Sequence, residues 1–184
     1  RDGTINIDRV YINDPRLMEL IPGAAKAIGR LRREGFYAVV VTNQSGINRG
    51  IIEPGALPKI HDKMDKLLAA EDQDAVIDRY EICIHKPAEN CDCRKPSPKM
   101  ALEAARQMGI DMGRSVFVGD KLTDVAAGRR AGCRFSILLR SGKGEEEEKL
   151  LALGARAAKE ETPDYIAGDL AEAVGWALER LQCY

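Results

Sequence analysis

Aromatic residues are scarce in this chain: three Phe, five Tyr and one Trp account for 5% of its 184 residues. Neither charge sign is in excess, because 28 Lys and Arg residues face 29 Asp and Glu residues and the formal net charge is −1. Nucleic-acid-binding proteins track phosphates with basic surfaces and stack bases on aromatic rings, so both shortages argue against that class. The same neutrality provides no broad attraction to a membrane surface.

Long apolar runs are also missing from the sequence. No stretch approaches the roughly 18 apolar residues of a membrane-spanning helix. Arg1 is followed by polar residues and not by the apolar core of a signal peptide. We therefore expect no membrane partner. A chain of 184 residues suits one domain with its own core, and a content of 45% hydrophobic and 31% charged residues is typical of a globular protein.

Cysteine is infrequent but clustered. Three of the five cysteines and one of the two histidines lie in the segment CIHKPAENCDC, which begins at position 83. An odd total and this clustering favour a metal site in a reducing compartment over disulfides, so we expect a cytoplasmic protein. Cys83, His85, Cys91 and Cys93 form the ligand set of a closed structural Zn²⁺ site. We call residues 83–95 the zinc loop.

Strand-like and helix-like segments alternate along the chain. Strands are predicted at 37–43, 80–84, 115–120, 134–139 and 164–166, and helices at 23–33, 56–70, 100–108, 125–131, 145–153 and 169–182. This alternation predicts an α/β fold, with a Rossmann-like parallel sheet and helices on both faces. The stretch 141–148 is the most linker-like and is interpreted as a surface loop. Ligands of such folds bind at the carboxyl ends of the strands, where Thr42, Asn43 and Asp120 fall.

Three short motifs contain polar residues suited to an anion or a hard cation. Asp120 and Asp124 in VGDKLTD can serve Mg²⁺ as oxygen ligands, or Asp120 can cap the following helix. VTNQSG offers a hydroxyl, amides and backbone N–H groups as an anion cradle, or forms a simple polar turn. Arg94 and Lys95 in CRKPSP can grip phosphate, or form a solvated basic pair. Each motif alone is a weak signal.

The order of the motifs is more specific than any one of them. RDGTIN, VVVTNQSGINRG, CDCRKPSPKM and VGDKLTD occur in the order typical of the haloacid dehalogenase superfamily of phosphohydrolases. Within it, the chain resembles the D-glycero-D-manno-heptose 1,7-bisphosphate phosphatases over nearly its whole length, most strongly from 1 to 140. The resemblance implies a single phosphatase domain over 1–184 with a minimal cap, since the stretch between RDGT and VVVTN is too short for a covering domain.

The family motif is Asp-x-Asp-Gly-Thr, and its first Asp ends the central strand. By this resemblance Arg1 is the x, and we expect the nucleophilic aspartate and its strand to precede Arg1. That aspartate would form an aspartyl-phosphate, while Asp2 would act as general acid and then as general base. The resemblance also implies Mg²⁺, held by the nucleophile, by the backbone carbonyl of Asp2 and by Asp120.

The resemblance further assigns side chains to the substrate. Thr42, Asn43, Arg94 and Lys95 would stabilise the transferring phosphoryl group or bind the substrate. The complete set of expected substrate-binding residues is Asp8, Arg9, Val10, Tyr11, Thr42, Asn43, Gln44, Ser45, Arg49, Arg94, Lys95 and Lys121. The expected substrate is a small sugar phosphate, heptose 1,7-bisphosphate, with removal of the C1 phosphate favoured. Such an enzyme supplies a precursor of lipopolysaccharide and is expected to be a monomer.

Two alternatives remain open at this point. Histidinol-phosphate phosphatases share the superfamily motifs and a similar zinc loop, but TNQSGINRG and the cations Arg9, Arg49 and Arg94 favour a substrate with a second anionic group. A catalytically inactive, zinc-stabilised binding domain would differ in the residue before Arg1. His61 lies on a predicted helix without a partner visible in the sequence, and we interpret it as structural.

Overall fold

The computed structural model describes residues 1–154 and 159–181. Within those ranges the strands are β1 (Val39–Asn43), β2 (Arg79–Cys83), β3 (Val116–Gly119), β4 (Phe135–Leu139) and β5 (Tyr165–Ala167). The helices are α1 (Ala24–Arg33), α2 (Ala56–Glu71), α3 (Lys99–Met108), α4 (Leu122–Ala131), α5 (Gly144–Ala152) and α6 (Leu170–Leu181). The predicted α/β alternation is confirmed, although residue 182 of the last predicted helix lies outside the described residues.

Helix α4 begins three residues earlier than the periodicity predicted. The Asp124 carboxylate accepts a hydrogen bond of 3.2 Å from the backbone N–H of Lys121, which caps the first turn. Asp120 therefore does not cap this helix, and its carboxylate is directed elsewhere. At the other end α4 stops at Gly132, which has φ 81°, a left-handed conformation that favours glycine.

The strands form two separate parallel sheets, in agreement with the predicted parallel α/β fold. β1 pairs with β2, and β4 lies between β3 and β5. Among the described residues no backbone pairing joins β1 to β3. In the first sheet Asn43 is paired with Cys83, so the polar end of β1 lies beside the start of the zinc loop.

A cavity of about 440 Å³ separates the two sheets. Residues 39–41 of β1 and 116–118 of β3 line it, together with apolar side chains of α1, α3 and α6. Backbone N–H and C=O groups in a sheet interior need partners, so two strands with free edges on one cavity leave room for a further strand. We call this cavity the slot. Its walls are mostly apolar, although Arg1, Lys95 and Asp124 also line it.

Helices pack on both sheets and on each other. Helices α4 and α6 both pack on β3 and β4, α3 packs on β1 and β2, and α1 packs against α2 and α6. The main core combines the apolar faces of α1, α2 and α6 with β4, and Ile60, Met64 and Leu68 of α2 are fully buried. None of the described helices is long and apolar enough to cross a bilayer.

Candidate active site

Asp2 is the centre of a hydrogen-bond network at the carboxyl end of β1. Its Oδ1 accepts from Arg1 Nη2 at 2.8 Å and from Asn6 Nδ2 at 3.0 Å. Its Oδ2 accepts from Gln44 Nε2 at 2.8 Å, and the same amide nitrogen donates to Thr42 Oγ1 at 2.9 Å. The structure thus brings together Asp2, Thr42 and Gln44, three of the predicted site residues.

The Asp2 carboxyl is held in its ionised form. Burial alone would raise the pKa of Asp2, but the charge of Arg1 and the hydrogen bonds from Arg1 and Asn6 outweigh it and keep this pKa below its usual range. A carboxylate in this state accepts a proton readily only when further negative charge arrives beside it. A bound phosphate is such a charge, since like charges disfavour ionisation.

Lys95 is fixed at the centre of the same edge. Its Nζ donates to the Val41 carbonyl at 2.6 Å and forms a 2.7 Å ion pair with Asp124, and both charged side chains are less than a tenth exposed. Asn43 holds the Lys95 backbone from both sides, since its Oδ1 accepts from Lys95 N and its Nδ2 donates to Lys95 O. A buried cation with a single carboxylate partner is well placed to receive an anion.

Asp120 lies on the other side of the edge, in a pocket formed by backbone. Its Oδ2 accepts from the Lys143 backbone N–H at 3.0 Å, and a Cβ added at Gly3 or Gly142 would approach that oxygen to 2.3 or 2.4 Å. The turn 141–143 lies at the surface, as predicted for a loop, and is also part of this site, whereas residues from Gly144 onward form α5. Ser141 Oγ donates to the Gly3 carbonyl at 2.7 Å, which ties the stretch to the turn after Asp2.

The chemistry of this pocket fits a hard cation. Burial, and then the charge of Asp124, raise the pKa of Asp120, so its carboxylate is costly to keep ionised without a positive partner. Mg²⁺ prefers oxygen ligands and supplies that charge. The expected Mg²⁺ ligands within the described residues are the Asp120 carboxylate and the backbone carbonyl of Asp2. Both groups lie at this edge.

The zinc loop brings four soft ligand atoms together. The Sγ atoms of Cys83 and Cys93 lie 3.6 Å from Cys91 Sγ, and His85 Nδ1 lies 3.6 Å from Cys83 Sγ and 3.4 Å from Cys93 Sγ. All four atoms fall within 4.8 Å of one another. A tetrahedral Zn²⁺ with Zn–S near 2.3 Å and Zn–N near 2.0 Å requires ligand separations of about 3.5–3.8 Å. The structure thus brings the four predicted ligands together at the spacing that such an ion requires.

The zinc loop leads directly into the phosphate-facing cations. Arg94 follows Cys93, and its Nη1 donates to the His85 carbonyl at 3.1 Å, so the guanidinium is anchored to the cluster. Lys95 follows Arg94 and is joined to Pro96 by a cis peptide bond. A metal that orders Cys93 and His85 therefore also orders Arg94.

An open concavity of about 440 Å³ borders the zinc loop and is lined by Arg49, Lys86, Pro87 and Ala88. Asn48 Nδ2 donates to Glu89 Oε1 at 3.0 Å and ties the loop after β1 to the zinc loop, while the Glu89 carboxylate also accepts from the Lys86 backbone N–H. We call Arg49 and Lys86 the rim cations. Both are exposed, and the loops that carry them are joined by this contact.

The other predicted substrate residues are distributed around this edge. Arg9, another of the predicted cations, forms a 2.7 Å ion pair with Glu19 at the surface. Asp8 accepts from the Val10 backbone, Val10 is exposed, and Tyr11 packs on the core. Ser45 accepts from the Arg49 backbone N–H, and Lys121 precedes α4 next to Asp124.

Three contributors to the site were not found from the sequence. Asn6 and the backbone of Lys143 bond the two acids, and His61, which was interpreted as structural, contacts Arg1 at 3.1 Å. His61 lies on the apolar stripe of α2 with Leu57 and Leu68, and a buried histidine in such a stripe was the available signal. The Lys143 backbone carried no such signal, because main-chain donors are independent of residue type.

Comparisons with known proteins agree with this geometry. A family model described as haloacid dehalogenase-like hydrolase matches residues 5–132. The D-glycero-beta-D-manno-heptose-1,7-bisphosphate 7-phosphatase of Photorhabdus laumondii is 40% identical over 150 residues, 78% of this chain and 79% of that protein. The protein of the same name from Escherichia coli K12 is 41% identical over 150 residues, 78% of each chain. The crystal structure of a heptose 1,7-bisphosphate phosphatase from B. bronchiseptica, complexed with magnesium and phosphate, matches with a TM-score of 0.84 and 35% identity over 98% of this chain and 96% of that one.

Proposed function

The chain belongs to the haloacid dehalogenase-like hydrolases, and we propose that it hydrolyses one phosphate ester of a heptose 1,7-bisphosphate. The observation that carries the proposal is the joint position of Asp2, Thr42 and Lys95 at one sheet edge, beside the buried carboxylate of Asp120. The arrangement supplies an acid and base, a cation for the phosphoryl group and an oxygen ligand for a metal.

The rim cations support a bisphosphate over an amine-bearing monophosphate. Arg49 and Lys86 place positive charge on the concavity beside the zinc loop, in a protein that is otherwise nearly neutral. A second phosphate of the substrate can bind there. Histidinol phosphate carries a cationic amine, which this charge would repel. Both curated relatives named above are heptose bisphosphate phosphatases, which favours the same substrate class.

The phosphate that is removed is proposed to be the one at C7. From the sequence we expected removal of the C1 phosphate. Both relatives are named as 7-phosphatases, so we revise that expectation. Removal at C7 leaves the anomeric C1 phosphate, and the product is then non-reducing and acid-labile. Phosphorus NMR and a reducing-sugar assay on the product decide between the two positions, since removal at C1 releases a reducing heptose 7-phosphate.

We also propose that the slot is filled by a strand preceding Arg1 in the full-length enzyme, and that this strand ends in the nucleophilic aspartate. Free edges of β1 and β3 on one apolar cavity support the strand, and RDGT supports the aspartate. The segment immediately upstream in the gene should read as a short apolar run ending in Asp. A different residue at that position would remove the nucleophile and with it the enzymatic proposal.

In this mechanism the residues of the chain handle protons and charge. Lys95, Thr42 and Arg94 hold the transferring phosphoryl oxygens while the upstream aspartate attacks. Asp2, which acquires a proton as phosphate binds, donates it to the departing sugar oxygen and then accepts one from the attacking water. Mg²⁺, held by Asp120 and the main chain at Asp2, would screen the charge between carboxylate and phosphate.

Zinc is proposed to have a structural role, at a distance from the chemistry. The Cys83, His85, Cys91 and Cys93 set leaves no open position for a reacting water, and Arg94 bonds to its backbone. Because clustered cysteines of this kind favour a metal site in a reducing compartment, we propose that the protein is cytoplasmic. We propose that the enzyme is active as a monomer, which light scattering of the active protein tests.

The proposed function is tested with the full-length chain and two substrates. We expect kcat/KM for heptose 1,7-bisphosphate to exceed that for histidinol phosphate, and Asp2→Asn to lower kcat about 100-fold or more, the scale of lost acid–base catalysis. Arg49→Ala should weaken bisphosphate turnover far more than turnover of a heptose monophosphate. A preference for histidinol phosphate would overturn the substrate and leave the reaction type standing.

A further inference from the structure

Arg1 is a buried guanidinium with partners on two sides. Its Nε and Nη2 donate to the Asp2 carboxylate at 3.1 and 2.8 Å, and Nη2 also reaches the second carboxylate oxygen at 3.1 Å. On the other side its Nη1 lies 3.1 Å from Nε2 of His61 on α2. A guanidinium can only donate hydrogen bonds, so His61 Nε2 is the acceptor and the ring is neutral, with its proton on Nδ1.

The surroundings of His61 keep the ring neutral and in place. Burial, and then the charge of Arg1, lower the pKa of His61 to about 4, while Asp2 opposes this shift. The ring stacks on Tyr80 of β2, with centroids 4.2 Å apart and an angle of 11° between the planes. The Tyr80 hydroxyl donates in turn to Asp65 of α2. Burial and the stack on the Tyr80 ring therefore make His61 a fixed acceptor, and not a mobile surface group.

We propose that His61 is a positioning residue for Asp2 and that it acts through Arg1. The inference rests on the proposed function, in which Asp2 transfers the proton. A guanidinium and a carboxylate form a planar fork, and the direction of the fork is defined only when a third point on the guanidinium is held. His61 holds that point. Without an acceptor a buried N–H loses its partner, so Arg1 is expected to turn and to carry the Asp2 carboxylate with it.

Two substitutions at position 61 separate this role from simple packing. His61→Phe keeps an aromatic ring on Tyr80 but removes the acceptor. His61→Gln removes the ring but offers a side-chain oxygen that can accept from Arg1. A positioning role predicts that Phe impairs the enzyme and Gln restores it, whereas a packing role predicts the reverse order.

Steady-state kinetics of the full-length enzyme are measured with heptose 1,7-bisphosphate and with p-nitrophenyl phosphate. For His61→Phe we expect kcat about 10-fold lower on both esters with KM within about twofold, the effect of a misdirected catalytic group. A fall in kcat with little change in KM distinguishes a misdirected Asp2 from a loss of substrate binding. His61→Gln should recover most of the wild-type kcat.

Tyr80→Phe is the matched control, since it keeps the stacked ring and removes only the hydroxyl that bonds Asp65. Its kinetics should match the wild type. A His61→Phe enzyme with normal kcat overturns the inference, as does a His61→Gln enzyme that is no better than Phe. If Phe does not fold, Gln alone decides, because a packing role requires Gln to be impaired. A wild-type enzyme that hydrolyses p-nitrophenyl phosphate but not heptose 1,7-bisphosphate would refute only the proposed substrate. A wild-type enzyme inactive on both esters would refute the proposed function and the role of His61 together.

Discussion

Replacing Asp124 with Asn should leave the buried Lys95 ammonium without a counter-ion. Asp124 is paired with Lys95 at 2.7 Å, and the two side chains are 6% and 9% exposed. The amide is similar in size to the carboxylate but carries no charge, so Lys95 keeps the Val41 carbonyl as a neutral acceptor and loses its counter-ion. Breaking a buried pair on one side costs about 3–5 kcal/mol.

Urea denaturation followed by circular dichroism at pH 7 measures this loss. For a domain of this size 1 kcal/mol corresponds to about 2–4 °C in Tm, so a thermal scan should show a decrease of about 6–20 °C. The control is Asp62→Asn, which breaks an exposed pair with Lys66 and should cost at most about 0.5 kcal/mol.

Inorganic phosphate provides the sharper part of the test. If Lys95 is the cation that receives the phosphoryl group, phosphate replaces the missing counter-ion and should stabilise Asp124→Asn more than it stabilises the wild type. The reasoning is refuted if Asp124→Asn loses less than about 1 kcal/mol. It is refuted also if phosphate raises the Tm of both proteins equally, because Lys95 would then not face the anion.

Three further outcomes follow from the site. Cys91→Ser should abolish stoichiometric zinc in elemental analysis and lower kcat/KM, and a variant with full zinc content would contradict the ligand assignment. Gly142→Ala places a Cβ within 2.4 Å of Asp120 Oδ2 and should raise the Mg²⁺ concentration for half-maximal activity about 10-fold or more. Gly132→Ala, the control, is also at positive φ but has no atom within 4 Å of the added Cβ, so it should leave that Mg²⁺ concentration unchanged. Between pH 6.5 and 4 the unfolded chain binds a proton at His61 that the folded protein does not bind. As the pH falls through this window, the free energy of unfolding of the wild type should therefore decrease by about 2 kcal/mol more than that of the His61→Gln variant. Urea titrations at several pH values measure this difference.

The sequence determined the features that depend on neighbouring residues. Strands and helices were predicted within a few residues because periodicity, glycine stops and β-branched runs act over one element. The four candidate zinc ligands could be picked out because Cys83 and His85, like Cys91 and Cys93, are two residues apart, a separation that the chain spans in one turn. The order of the motifs gave the family, which the comparisons confirm.

Only the tertiary structure decided which distant groups meet. His61 reaches Arg1 across 60 residues, Lys143 reaches Asp120 across 23, and Arg9 is neutralised by Glu19. These contacts depend on how helices and loops pack, and that packing is fixed by the sum of many weak apolar contacts that no local pattern encodes. The division of the strands into two sheets around an apolar slot has the same origin, because pairing between strands is a long-range property: a residue's own sequence context specifies that it is extended, but only the assembled fold specifies which neighbour takes its hydrogen bonds.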